Sequence, residues 1–165
     1  MSSKPRRAFE PGHAAKFLVV VDNTPECGRA VRFGARRVLR IGARLIMLSI
    51  AEPGDFQHWL GVGDVMRAEA DAKASQVMDQ FAAVCAKLGT MEPERVFRSG
   101  NKAEEILKLI EQDEDIAYLV LAAGTGKDGP GPLVSMLSGR AAADFPVPVV
   151  IVPGRLSDAE IDALA

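Results

Sequence analysis

Apolar side chains recur along the chain in short runs, and the stretches between these runs carry a helical period. The run Phe17–Val21 (FLVVV) is continuous and apolar, as expected of a strand covered on both faces within a parallel sheet. Leu45–Ile50, Tyr118–Ala123 and Val149–Val152 read the same way, and a shorter strand is predicted near Arg95–Arg98. After the first run, Thr24 and Pro25 open a predicted helix to about Ile41: a Thr oxygen can accept from free first-turn amides, and Pro fits the first turn. One face of it carries Val31, Gly34, Ala35, Val38 and Gly42, the other Arg29, Arg32, Arg36 and Arg40, expected as a solvated face rather than a seat for nucleic acid phosphates or an acidic partner, with Phe33 on the Arg side.

A long helix is predicted over Val65–Leu88, with a stripe of Val77, Phe81, Val84 and Leu88, ended by Gly89. Asn101 with Glu104 forms a capping-box pattern for the next helix, whose residues Ala103, Ile106, Leu107 and Ile110 are expected to face the sheet. A further helix is predicted over Leu133–Asp144. Strands alternating with helices, closely connected, predict parallel crossovers of right-handed sense and therefore an α/β fold.

The domain expected is residues 16–153. Residues 1–15 mix Pro, Gly, Ser and charge without a period, which predicts a loose arm, and residues 154–165 form a tail in which Ser157 and Glu160 repeat the capping-box pattern over a short helix. Residues 52–64 form a turn-rich loop that carries Phe56, His58, Trp59 and Leu60, expected to anchor it to the domain or line a pocket. At 165 residues one domain with a sizeable core accounts for the whole chain.

Composition narrows the function classes. The 48% hydrophobic content is ordinary for a globular protein, and 5% aromatic residues predict a core of small aliphatic side chains. Twenty basic against twenty-two acidic residues leave a net charge of -2, so general attraction to nucleic acid or anionic membrane is not expected. No apolar stretch reaches the roughly eighteen residues of a membrane span, and the basic amino terminus lacks a signal-peptide core. Cys27 and Cys85 are widely spaced and fall on core-facing helix positions, and His13 and His58 have no second ligand at metal spacing. A cytoplasmic protein without a structural metal is expected. No Ser–His pair, carboxylate pair or metal motif points to catalysis.

Five segments together resemble the universal stress protein family: VVVDNTPECGRAV after the first strand, IMLSIAEP at the second, GNKAEEIL before the third helix, LVLAAGTG at the fourth strand and FPVPVVIVP at the fifth. The resemblance covers about residues 16–153. It implies a single doubly wound domain with a five-stranded parallel sheet in the order 3-2-1-4-5 and helices on both faces. It also implies a homodimer through the fifth-strand edge and, in some members, bound ATP or another adenine nucleotide (ADP, AMP), with or without Mg. The other reading is a dimeric member that binds no nucleotide and acts as an interaction module.

In open parallel sheets ligands sit beyond the carboxyl ends of strands whose connections diverge, here the first and fourth. The expected site therefore includes Val21 and Asp22 after the first strand, Ile50 at the second, and the loop after the fourth. Asp22 is either a ligand acceptor or a plain turn former. Nucleotide-binding members carry Gly, two residues, Gly, nine residues, then Gly with Ser or Thr. By spacing, Gly126, Gly129 and Gly139 match, with Arg140 in the last place; aligned from the flanking strands, Ala123, Gly126, Ser135 and Met136 take those positions, and this second register is preferred. Gly124, Gly129 and Gly131 give the loop freedom, Lys127 supplies a cation, and Pro130 and Pro132 remove two amide donors.

Overall fold

The computed structural model describes residues 4–52, 62–90 and 92–165. Strand β1 (Lys16–Val20) sends Phe17 and Val19 to one side of the sheet and Leu18 and Val20 to the other, and all four are buried. It pairs in parallel with β2 (Arg44–Ala51) on one edge and β4 (Ile116–Ala123) on the other. β3 (Glu94–Ser99) extends the sheet beyond β2, and β5 (Val149–Pro153) extends it beyond β4. Among the described residues the sheet has five strands, all parallel, in the order β3-β2-β1-β4-β5, as the resemblance implied. The β1–β4 register shifts between Lys16 and Phe17, which pair with Ile116 and Tyr118 and leave Ala117 bulged.

Helices cover both faces. α1 (Cys27–Ile41), α2 (Val62–Leu88) and α5 (Asp158–Leu164) pack on the Phe17/Val19 side, through Val31, Met78 and Ile161 among others. α3 (Lys102–Gln112) and α4 (Pro132–Leu137) pack on the Leu18/Val20 side, through Ile106, Ile110 and Leu137. The chain thus winds outward from β1 to β3 on one face, returns across the sheet through α3 to β4, and continues to β5 on the other.

Several local expectations are corrected. α1 begins at Cys27, not at Thr24, because Asp22 takes the Thr24 amide and hydroxyl at Oδ1, and Glu26 stands at the N-cap without a side-chain cap. The core line of α2 is Met78, Ala82 and Cys85, one residue on from the expected stripe; Phe81 and Leu88 flank it, half-buried. In α3 the Asn101 side chain accepts from the Glu104 amide at 3.1 Å as the pattern predicts, but Leu109 is buried where Leu107 was expected, and Leu107 is 42% exposed. The expected Leu133–Asp144 helix is broken: α4 stops at Leu137, Gly139 is extended, and residues 140–144 form a separate 3-10 turn.

The terminal segments are tied to the domain. In place of a loose arm, residues 4–15 run against the α3–β4 turn: Arg7 N donates to Glu114 O at 3.0 Å, His13 Nδ1 lies 2.6 Å from Asp115 Oδ1, and Ala8 and Ala15 are buried. At the other terminus, Ser157 and Glu160 complete their capping box, and Ile161 is 0% exposed against the core. The Arg row of α1, expected as a solvated face, is instead covered by this acidic helix. Arg32 and Arg36 each form two hydrogen bonds to Asp162, at 2.7–3.1 Å, and Arg29 Nη1 pairs with Asp158 at 2.7 Å. Phe33 is half-buried and packs on the same side of the core.

Ile161→Ala is expected to lower the unfolding free energy by about 2–5 kcal/mol, read from the urea midpoint at unchanged slope. The hydrogen bonds from Arg32, then Arg36, hold the Asp162 carboxyl well below its ordinary value. A carboxyl depressed in the folded state stabilises above its unfolded pKa, and that stability is lost as pH falls through the folded one. The stability gap between the parent chain and Asp162→Asn should therefore be constant at neutral pH and shrink as pH falls below 3.8.

Candidate functional site: the cleft between β1 and β4

Because every strand is parallel, all the strand-to-helix turns emerge on one rim. α1 leaves β1 toward one face and α4 leaves β4 toward the other, so a gap opens between the two turns. A cleft of about 130 Å³ occupies it. Val20, Asp22, Glu26 and Cys27 form one wall, Leu121 and Ala122 the floor, Pro130, Gly131 and Pro132 the second wall, and Lys102 at the start of α3 the remaining corner. Asp22 and the Pro130–Pro132 segment are thereby brought together from opposite ends of the chain.

Asp22 is held by its own turn. Oδ1 accepts from Thr24 N at 2.9 Å and from Thr24 Oγ1 at 2.5 Å, and among the described residues nothing donates to Oδ2. Below it, the Asp22 amide donates to Cys27 Sγ at 3.4 Å, and that thiol in turn donates to Val20 O at 3.8 Å. Burial pushes the Cys27 thiol up to about 12, so it is a structural donor and not a nucleophile.

The other residues expected in the site are placed around the cleft, not in its walls. Val21 donates its amide to Leu48 O at 2.8 Å and buries its side chain in the α1-side core. Ile50 is half-buried against the α3-side core at the end of β2. Ala123 packs into the same core. Gly124, Gly126 and Gly129 belong to a loop closed on itself: Gly124 N donates to Pro130 O at 3.0 Å and Gly129 N to Gly126 O at 3.2 Å. Gly129 and Gly131, at φ 80° and 105°, supply the left-handed backbone this closure needs. Ser135 and Met136 are exposed on α4, with the Ser135 amide bonded to Gly131 O at 2.9 Å. Lys127 and Gly139 are exposed as well. Phe56, His58, Trp59 and Leu60 lie outside the described residues.

Of the residues expected in the site only Asp22 lines the cleft, and two charged residues that line it, Lys102 and Glu26, were not found from sequence. Lys102 follows the Asn101 cap, and its position follows from topology alone, since the start of α3 must emerge on the same rim as Asp22. Glu26 looks in sequence like one more first-turn acid. In the structure it is half-buried beside the loop, its Oε1 3.2 Å from where a Cβ on Gly124 would stand.

An open, doubly wound α/β sheet with its cleft at the switch point defines the class of protein. Residues 14–153 match the universal stress protein family, and the chain belongs to that family. Among solved structures, universal stress protein UspA from Lactobacillus plantarum is 20% identical, with 84% of this chain and 97% of that chain covered and a TM-score of 0.65. A universal stress protein in complex with cAMP is 16% identical, covering 84% and 96%, TM-score 0.63. The universal stress protein from Archaeoglobus fulgidus in complex with dAMP is 14% identical, covering 84% and 97%, TM-score 0.57. At these identities the likeness establishes the fold. No match was found among curated proteins. Among the described residues, no helix is long and apolar enough to cross a membrane.

Burial raises Cys85 to about 11 as well. Neither thiol of the folded protein should react with an aromatic disulfide reagent at pH 8 within minutes, and both should react at once in denaturant; a fast native phase would show the α1-side core to be open.

Proposed function

We propose that the protein is a stress-response binding module that holds an adenine nucleotide (ATP, ADP or AMP) in the cleft between β1 and β4, without catalysing a reaction of its own. The observation that carries this reading is the convergence of Asp22, Lys102 and the Pro130–Pro132 segment on one cleft at the switch point of the sheet. The free Oδ2 of Asp22 is an acceptor for a ribose hydroxyl or an adenine amine, and Lys102 is a cation for a phosphate. Two proteins of the same fold are described in complex with cAMP and dAMP, which supports an adenine ligand here. In this reading residues 16–153 are the binding domain, Val21, Ile50, Ala123, Gly124, Gly126, Gly129, Ser135 and Met136 frame the ligand from outside the cleft walls, and Mg accompanies a bound triphosphate.

Dimerisation through β5 goes with it. β5 pairs only with β4 among the described residues, and its outer edge, with Val149, Val150 and Ile151 half-buried, is an apolar strand suited to a second copy. A cytoplasmic location fits a chain with two buried free thiols. The second reading, an interaction module with no nucleotide, is favoured by the inward-turned amides of the 124–130 loop, which leave fewer donors for phosphate.

Gently purified protein is expected to release an adenine nucleotide detectable by mass spectrometry, and saturation at a hundred times Kd to stabilise it by about 2.7 kcal/mol in thermal unfolding. Asp22→Asn keeps the turn acceptor while replacing Oδ2 by a donor, and should weaken binding by about tenfold to a hundredfold. Absence of both a co-purifying nucleotide and a thermal shift would establish the interaction reading instead.

A further inference from the structure

The cleft holds three charged side chains, Asp22, Glu26 and Lys102, and only Lys102 is basic. Glu26 and Lys102 are each half-buried, and among the described residues neither has a hydrogen-bond or ion-pair partner within reach. The Glu26 carboxylate lies against Gly124, the first residue of the loop along which an extended phosphate chain would run from the Asp22 side. The loop's own cation, Lys127, is exposed, is followed by Asp128 and is not among the residues that line the cleft. The amides of Gly124 and Gly129 are spent within the loop, on Pro130 O and Gly126 O, and Pro130 and Pro132 have none.

From this arrangement we infer that the cleft selects nucleotides carrying a single phosphate: Lys102 pairs with that phosphate, and Glu26 excludes the longer diphosphate and triphosphate chains. The inference rests on the adenine-nucleotide reading above and adds the ligand class. Its physical basis is the charge balance. One ammonium matches one phosphate group, while each further phosphate adds charge toward a half-buried carboxylate, with Lys102 the one cation among the residues lining the cleft, and like charges brought close are unfavourable.

Calorimetric titration of the full chain with adenosine, AMP, ADP and ATP, each with and without Mg, separates the possibilities. The parent chain should bind AMP at least about tenfold more tightly than ATP. Glu26→Gln preserves volume and breaks no cap, since the Glu26 side chain makes no capping bond. It should raise ATP affinity toward that of AMP, read as a fall in the AMP-to-ATP affinity ratio. Lys102→Gln should lower AMP affinity to the level of adenosine. Equal affinity for AMP and ATP, ATP tighter than AMP once Mg is present, or an AMP-to-ATP ratio unmoved by Glu26→Gln each overturns the selection while leaving the nucleotide reading intact. Failure of all four ligands to bind overturns the nucleotide reading, and the selection with it.

Discussion

The burial of β1 on both faces, between β2 and β4, is the constraint from which the remainder of the architecture follows. Leu18 and Val19 are adjacent in the chain, point to opposite faces and are both 0% exposed. A strand with no solvated face cannot slip by one residue without exchanging its two cores, so its register with both neighbours is set by packing on each side. The connections leaving β1 and β4 must then lie on opposite faces, because α1 already fills one of them. The cleft at their divergence is thus a consequence of how the central strand is covered, and Asp22 reaches its rim because it is the first polar residue after the buried run.

The ends of the chain brace this layer from outside the matched family region. Without α5, the arginines of α1 would be a row of like charges three and four residues apart on one helix face, a mildly unfavourable arrangement. Asp162 receives two of them in paired geometry and Asp158 a third, while Ile161 closes the apolar seam between. Individually such partly exposed pairs contribute little, but several sharing one carboxylate hold the short helix in a single orientation over its buried isoleucine. At the other terminus, Arg6 bonds Ile110 O at 2.5 Å and Asp113 O at 3.0 Å, tying the amino-terminal segment to the end of α3.

The strands could be read from the sequence because each rests on local signals that tertiary contacts do not reverse, and their order came with the family resemblance. Continuous apolar runs require burial on both faces, and a parallel sheet in the family order supplies it. What escaped was decided by contacts between segments distant in the chain. The Arg row looked solvated because the acids that cover it lie about 125 residues downstream. In α2 the core takes Met78, Ala82 and Cys85, one residue on from the expected stripe, a choice between adjacent helix faces that packing makes and periodicity alone does not. Asp22 was legible and Lys102 was not, although both line one cleft: the former follows an apolar run, whereas the latter gains meaning only once β3 and β4 are known to end on the same rim.

The loop after β4 shows why glycine content alone is a poor guide to phosphate binding. A loop cradles an anion only when successive amides point outward with no acceptor of their own. Here the glycines at 124 and 129 serve a different end, letting the chain turn sharply enough for its amides to reach carbonyls within the same loop. A buried amide satisfied internally gains little by changing partner, since an anion must first displace an existing bond. In the proposed reading the cleft's recognition chemistry therefore rests on side chains, chiefly Asp22, Glu26 and Lys102, which line it together. Side-chain charges act over longer distances than amide dipoles and depend on sign, so in that reading these three positions set which ligand charge the cleft accepts, while the buried strands that bring them together do not depend on that charge.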